Sequence, residues 1–270
     1  MPIKYLSPLL DWIYPPTCIA CRTMLPLNLP ARYICEHCEA IFDPITAPIC
    51  DRCGVPTETD TSCCSSCYGK TFHFTCNRAT FVYDALVRDM MHEIKFREKK
   101  RVAQGLGELW VATIKANYQT LPTLPDFMGL IRNDAPQKSP DNADSASLPI
   151  LVPLPMHPTK RRERGFDQAE ILALALSRGL NLPMEKILLR TRDTPPQAGL
   201  HPRLRAENVK GVFAVRPDIK NTHSKNYILV DDIYTTGASL NECARILISA
   251  GAEKVSCMTF AIAVKNNDKD

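Results

Sequence analysis

Four stretches differ in how their apolar residues are spaced. The first, residues 1–75, has almost no period. Only its start is patterned: Leu6, Leu9, Leu10, Trp12 and Ile13 suit a short amphipathic N-terminal helix docked on the body. The second begins with a strand-like run, Ala79–Tyr83, and continues with helical spacing over Leu86–Phe96 and Val102–Ala116. The third, residues 117–149, loses all pattern. Its segment Asn133–Ser147 is rich in Asp, Asn, Ser and Pro, which predicts a disordered insertion. Order returns at Leu148. Ile150–Pro155 reads as a short buried strand, Gln168–Leu180 as a helix with apolar residues at Ile171, Leu172, Ala175 and Leu176, and Asn226–Asp231 as a second strand. A helix over Leu240–Ala250 and a strand over Val255–Val264 follow. Asp167 with Glu170, and Ser239 with Glu242, have the spacing of capping boxes, and Gly251 marks a stop. Strands alternating with helices predict an α/β fold, a parallel sheet covered on both faces.

The 270 residues suit one large or two small domains, and 45% hydrophobic with 23% charged is ordinary for a globular protein. No apolar run approaches the ~20 residues that span a bilayer. Asp11 and the prolines of Met1–Pro16 argue against a signal peptide, so the expected location is cytoplasmic. A net charge of +4 permits phosphate-bearing ligands without requiring nucleic acid.

Cysteine changes the picture. Ten of the 12 precede residue 77. Cys243 and Cys257 fall in apolar segments and read as core. In a reducing compartment clustered cysteines are metal ligands rather than disulfides. Cys18-x2-Cys21, Cys35-x2-Cys38, Cys50-x2-Cys53 and Cys64-x2-Cys67 form four knuckles. Eight thiolates fit two closed, structural Zn2+ sites. Sequential pairing is simplest, a crossed arrangement is the alternative, and Cys63 competes with Cys64. The histidines show no ligand spacing with one another, and Lys95–Arg101 reads as a solvated basic helix end.

The strongest chemical signal is Ile228–Leu240. An apolar strand ends in two carboxylates, Asp231 and Asp232, and a loop of small residues leads into a helix. Backbone N–H groups of Thr235, Thr236, Gly237, Ala238 and Ser239, with the new helix N-terminus, make a site for a monophosphate. Gly237 allows close backbone approach, and the aspartates suit ribose hydroxyls. A second cluster, Lys160, Arg161, Arg162 and Arg164, follows the strand Ile150–Pro155 as a basic turn. Such cations match the charge growing on a diphosphate leaving group.

The run Ile228–Leu240 closely resembles the signature of type I phosphoribosyltransferases. Three segments together resemble the ComF/GntX family: Val152-Pro-Leu-Pro155, Arg162-x-Arg-Gly-Phe-Asp-Gln-Ala169 and Val230-Asp-Asp-Ile-x-Thr-Thr-Gly-Ala-Ser239. The likeness continues through Arg190–Gln197 and Arg203–Phe213. It implies a type I phosphoribosyltransferase fold, a parallel sheet flanked by helices, preceded by a small Cys-rich zinc-ribbon module. The implied division is 1–75 for the double zinc ribbon and 76–270 for the phosphoribosyltransferase-like domain. The resemblance further implies that Asp231 and Asp232 contact the ribose hydroxyls of phosphoribosyl diphosphate, that Thr235–Ser239 wrap its 5′-phosphate, and that Mg2+ accompanies the diphosphate. Residues 190–213, helix-poor in sequence, would form a hood over the site. Thr235 stands where purine-salvage members carry an aspartate, which argues against a purine acceptor. Asp167 stands where many ComF/GntX members have asparagine.

Two roles follow. One is an enzyme moving a phosphoribosyl group to an acceptor. The other is a non-catalytic nucleic-acid-binding protein of DNA uptake that senses a phosphoribosyl ligand, with single-stranded DNA and other uptake proteins as partners.

Overall fold

The computed structural model describes residues 17–26, 34–59, 61–96, 100–117, 148–194, 202–223 and 225–264. The helix expected within 1–16 and almost all of the 117–149 insertion lie outside the described residues.

Four parallel strands make the central sheet: β1 (Asn77–Val82), β2 (Ile150–Pro153), β5 (Asn226–Tyr234) and β6 (Lys254–Ile262), in the order β1-β6-β5-β2. Tyr227–Val230 and Val255–Ile262 are buried without alternation. That is the signature of strands covered on both faces. On one face pack α2 (Ala85–Phe96), α3 (Lys100–Asn117) and α5 (Gln168–Leu180). Their buried residues recur at helical spacing, as with Val87, Met90 and Met91, or Leu106, Leu109 and Trp110. Trp110 is fully buried; its Nε1 donates to Thr80 Oγ1 at 2.6 Å, and its ring meets Phe260 edge-on at 5.8 Å. A buried indole N–H without a partner would be costly, so this bond fixes the helix against β1. The opposite face is covered by α7 (Ala238–Ser249), including Leu240, Cys243, Ala244 and Leu247. Cys243 and Cys257 are both core residues.

In its helices and their caps the structure departs from the sequence reading in four places. The basic segment after β2 is a helix, α4 (Pro158–Arg164), rather than a turn. Pro158 presets the first helical φ, and His157 Nδ1 caps by accepting from Thr159 N at 3.3 Å. The 190–213 stretch is not helix-poor. It carries α6 (Pro202–Val209) between two antiparallel strands, β3 (Leu188–Arg190) and β4 (Phe213–Val215). The Ser239–Glu242 box is absent. Gly237, at φ 73°, occupies the N-cap of α7 with no side-chain cap bond. Glu242 instead accepts from Gly211 N at 2.9 Å and pairs with Arg245 at 2.7 Å. Finally, only half of the other box forms. Asp167 Oδ1 accepts from Glu170 N at 3.3 Å, but the Glu170 carboxylate pairs with Arg161 and Lys186.

The Cys-rich segment shares both cores with the sheet. Cys18, Cys38 and Phe42 join the cluster of Phe81, Met91 and Trp110, whereas Cys50, Cys53, Cys67 and Phe74 join that of Leu229, Tyr234 and Leu240. Backbone bonds continue the union. Ile45 N donates to Thr80 O, Thr75 N to Val255 O and Cys257 N to Cys76 O, each at 2.8 Å. Residues 44–45 thereby cover the β1 edge, which would otherwise present unpaired backbone groups.

Candidate functional site

Two kinds of site emerge: a pair of thiol clusters and a cleft on the sheet. The clusters come first in the chain. Cys35 N-caps α1 (Glu36–Ile41), its side chain accepting from Cys38 N at 3.4 Å. Further N–H···S contacts run from Cys35 N to Cys18 Sγ at 3.4 Å and from Cys64 N to Cys50 Sγ at 3.3 Å. Cys18, Cys21, Cys35 and Cys38 bring their sulfurs within 4.8 Å of one another, and so do Cys50, Cys53, Cys64 and Cys67. The pairing is sequential. Cys63 is exposed and lies outside the second group.

The geometry fits the metal. Four sulfurs at ~2.3 Å from a tetrahedral zinc stand ~3.8 Å from one another. Cys21–Cys35 and Cys53–Cys64 are both 3.7 Å apart, far from the ~2.05 Å of a disulfide. In each group one thiol ionises readily and others resist. Hydrogen bonds with Thr23 bring Cys21 down to about 6, and against its burial backbone N–H bonds bring Cys50 down to about 7. Burial pushes the Cys67 thiol up to about 12, and those of Cys38 and Cys53 higher still. A dication would offset the mutual repulsion of four thiolates in each group. The two groups are therefore consistent with two structural zinc ions. Changing Cys64 to serine is expected to lower zinc content from two to one per chain. Changing Cys63 should leave it at two, as read by elemental analysis of the purified variants.

The cleft, about 770 Å³, opens at the carboxyl ends of β2 and β5. These strands are neighbours, with Pro153 opposite Val230. Asp231 and Asp232 line it, but β5 does not end there. It stays paired with β6 as far as Tyr234 opposite Ile262. The paired backbone holds both carboxylates on a rigid element. Asp231 Oδ1 accepts from Asp232 N at 2.9 Å, and Asp232 Oδ1 from Ile233 N at 2.8 Å, which orients the side chains.

Beyond Tyr234 the chain turns through Thr235–Gly237 into α7, and Thr235, Gly237, Ala238 and Ser239 line the cleft. Thr236 does not; its hydroxyl accepts from Ala238 N at 3.4 Å. The N–H groups of the first turn of α7 lack helical acceptors and attract an anion. Gly237 is required on two counts. Its φ of 73° strains any residue with a Cβ, and that Cβ would stand 2.5 Å from Tyr234 Oη.

Across from the loop, α4 supplies Lys160 and Arg164 to the cleft. Positions i and i+4 share a helix face. Arg161 and Arg162 lie elsewhere: Arg161 pairs with Glu170 at 3.1 Å, and Arg162 is exposed. Lys160 Nζ donates to Thr194 O at 2.9 Å and sits 3.3 Å from Asp193 Oδ1.

Several lining residues were not named as site residues from the sequence, although Arg190 and Arg205 fall in the stretch expected to form the hood. Arg190 ends β3, its guanidinium 5.5 Å from the centre of the Phe213 ring, and burial holds it below its usual pKa. Arg205 reaches the cleft from α6, and Tyr83, Arg88, Met91 and His92 from the β1–α2 end. The spacing 88, 91, 92 places these three on one helix face, but it does not say that this face meets the cleft. Asp167 also lines the cleft while only 8% exposed. Burial raises its carboxyl above the usual range, against N–H bonds from Glu170 and Met156 that lower it.

Comparison with known proteins agrees with this layout. Residues 9–68 match the double zinc ribbon domain and residues 166–269 the phosphoribosyl transferase domain. The chain is 27% identical over 243 residues to the DNA utilization protein YhgH of Escherichia coli, covering 89% of this chain and 94% of that one. It is 25% identical over 248 residues to Competence protein F of Haemophilus influenzae, covering 91% and 96%. To Competence protein ComFC of Bacillus subtilis it is 26% identical over 239 residues, covering 86% and 85%. With its two four-cysteine groups ahead of a parallel sheet of type I phosphoribosyltransferase fold, the chain is similar along most of its length to these DNA utilization and competence proteins of the ComF kind.

Proposed function

We propose that the chain binds phosphoribosyl diphosphate in the β2–β5 cleft and moves the phosphoribosyl group to an acceptor, within the cytoplasmic handling of DNA. One observation carries this reading. The strand that carries Asp231 and Asp232 runs directly into a glycine-bearing turn and a helix start, and Lys160 and Arg164 line the same cleft from the helix after the neighbouring strand. Asp231 and Asp232 would accept from the ribose hydroxyls. Backbone N–H groups from Thr235 to Ser239 would hold the 5′-phosphate. Lys160, Arg164 and Arg190 would receive the diphosphate.

In transfer, a lone pair of the acceptor forms a bond to C1 of the ribose as the C1–O bond to diphosphate breaks. The diphosphate departs with that electron pair, and the growing negative charge falls on the cations already placed there. The oxygen-rich set of Asp231, Asp232 and the ligand's own oxygens suits Mg2+, which would offset the diphosphate charge. Thr235 places no carboxylate opposite the acceptor at that position, so the proposed acceptor class is not a purine. The hood of β3, α6 and β4 brings Arg190 and Arg205 to the cleft and would exclude water from a hydrolysable sugar cation.

The names of the relatives, competence and DNA utilization, favour a second reading. In it the same site senses its ligand without turnover, and the chain holds single-stranded DNA beside other uptake proteins. Labelled phosphoribosyl diphosphate with magnesium separates the two. Pyrophosphate release dependent on a base, amine or DNA acceptor supports transfer. Tight binding with no release under any condition supports the sensor. No binding at all removes both readings. Within this assay Lys160→Met is expected to weaken binding about tenfold, the loss of one charge-assisted contact. Arg162→Ala is expected to leave it unchanged.

A further inference from the structure

The second four-cysteine group shares a buried cluster with Tyr234 and Leu240, the residues that flank the cleft's loop. Tyr234, 5% exposed at the end of β5, belongs to the same buried cluster as Cys50, Cys53 and Cys67. Its ring supports the loop, since a Cβ on Gly237 would meet Tyr234 Oη at 2.5 Å and ring carbons at 2.7 and 2.8 Å. The ring thus bears on the turn and shares its buried surroundings with the thiol cluster.

A second connection runs through Asn241, in the first turn of α7. Its Oδ1 accepts from His73 N at 2.6 Å, its Nδ2 donates to Thr71 O at 3.2 Å, and its N–H donates to Gly237 O at 2.8 Å. The cluster itself is fixed to the sheet. Asn77 Nδ2 donates to Cys53 O at 2.9 Å, Asn77 N donates to Arg52 O at 2.9 Å, and Asn77 Oδ1 accepts from Thr259 at 3.3 Å. Gly54, at φ 76°, lets that backbone approach: a Cβ there would meet Asn77 O at 2.6 Å. The first four-cysteine group has no such links among the described residues. It packs on the other face of the sheet, with Phe42, Phe81 and Trp110.

We infer that the second four-cysteine group sets the shape of the Thr235–Ala238 loop, with Tyr234 and Asn241 as the positioning residues between metal site and cleft. The first group has no part in this. Metal occupancy at one cluster and ligand affinity at the cleft are then two ends of one linkage, and by reciprocity each strengthens the other. The ligand half of the statement rests on the reading of the cleft given above; the loop half does not.

Hydrogen exchange of the Thr235–Ala238 amides tests the loop half in the full chain. Cys64→Ala, holding one zinc, is expected to exchange there at least tenfold faster than wild type. Cys21→Ala, which loses the other zinc, should stay within twofold. Asn241→Ala, retaining both metals, should exchange at least threefold faster and decides the matter if Cys64→Ala fails to fold. Tyr234→Phe keeps the ring and should remain close to wild type. Equal exchange in Cys64→Ala and Cys21→Ala, or no change in Asn241→Ala, overturns the inference.

The ligand arm uses phosphoribosyl diphosphate as the probe. Cys64→Ala should bind it at least tenfold more weakly and Cys21→Ala as wild type does. The same ligand should slow zinc loss to a chelator from the second group alone. A wild-type chain that does not bind the probe would end the proposed function and leave the exchange result standing. Binding that is lost equally in both cysteine variants would end the linkage and leave the proposed function standing.

Discussion

Replacing Asp231 and Asp232 together by asparagine is expected to weaken phosphoribosyl diphosphate binding at least a hundredfold, with both zinc ions and the fold retained. Asparagine keeps the size of each side chain and the oxygen that accepts the local N–H bonds from Asp232 and Ile233. What disappears is charge. A hydrogen bond to an ionised group contributes about 1.5–3 kcal/mol, so two lost together amount to about 3–6 kcal/mol. At about 1.4 kcal/mol per factor of ten, that is a loss of two to four orders of magnitude. Folding should change little, because the side chains keep their size and their local N–H bonds. Titration calorimetry reads the affinity, and melting temperature with zinc content reads the fold. Affinity within a few-fold of wild type would remove Asp231 and Asp232 from the site.

That pair was legible in sequence because its signal is local. An apolar strand, two carboxylates, a glycine and a helix start lie within a dozen positions, and the cysteine knuckles are equally local, each pair three residues apart. Where the reading misjudged a boundary, the cause was a backbone event that side-chain type does not report. Asp231 and Asp232 look like a strand end because the residues turn from apolar to charged there. Pairing of β5 with β6 depends on main-chain groups and runs on to Tyr234. Ser239 and Glu242 have the spacing of a capping box, yet the left-handed Gly237 takes the cap, and Glu242 is drawn to Gly211 and Arg245. The basic segment showed its charge but not its facing. Only as a helix does it direct Lys160 and Arg164 to one side and Arg161 to Glu170. Tyr83, Arg88 and His92 belong to the cleft through the strand order, which places the end of β1 beyond β6 on the far side of β5. No spacing within the chain contains that order.

Gly237→Ala is expected to cost about 2–5 kcal/mol of stability and to weaken ligand binding at least tenfold. Sequence offered one reason for the glycine, close approach of the backbone to a phosphate. The structure supplies two more, on the opposite side of the same residue. A Cβ at φ 73° costs about 1–2 kcal/mol in the left-handed region. Crowding it against the Tyr234 ring adds the roughly 1–3 kcal/mol of an overpacked core. Tyr234 is 5% exposed and buried in the cluster that also holds Cys50, Cys53 and Cys67, so the loop must move rather than the ring. A loop displaced outward carries its N–H groups away from the phosphate, which links the loss of stability to the loss of affinity. The contrast with the aspartate pair is diagnostic: that variant loses binding alone, whereas this one loses both. Placing Gly237→Ala in a Tyr234→Phe background tests the origin of the cost. Little should be recovered, since ring carbons at 2.7 and 2.8 Å remain after the hydroxyl is gone. Denaturant unfolding of the four chains of this cycle gives the coupling directly. If Gly237→Ala proved as stable as wild type, the loop would not rest on Tyr234.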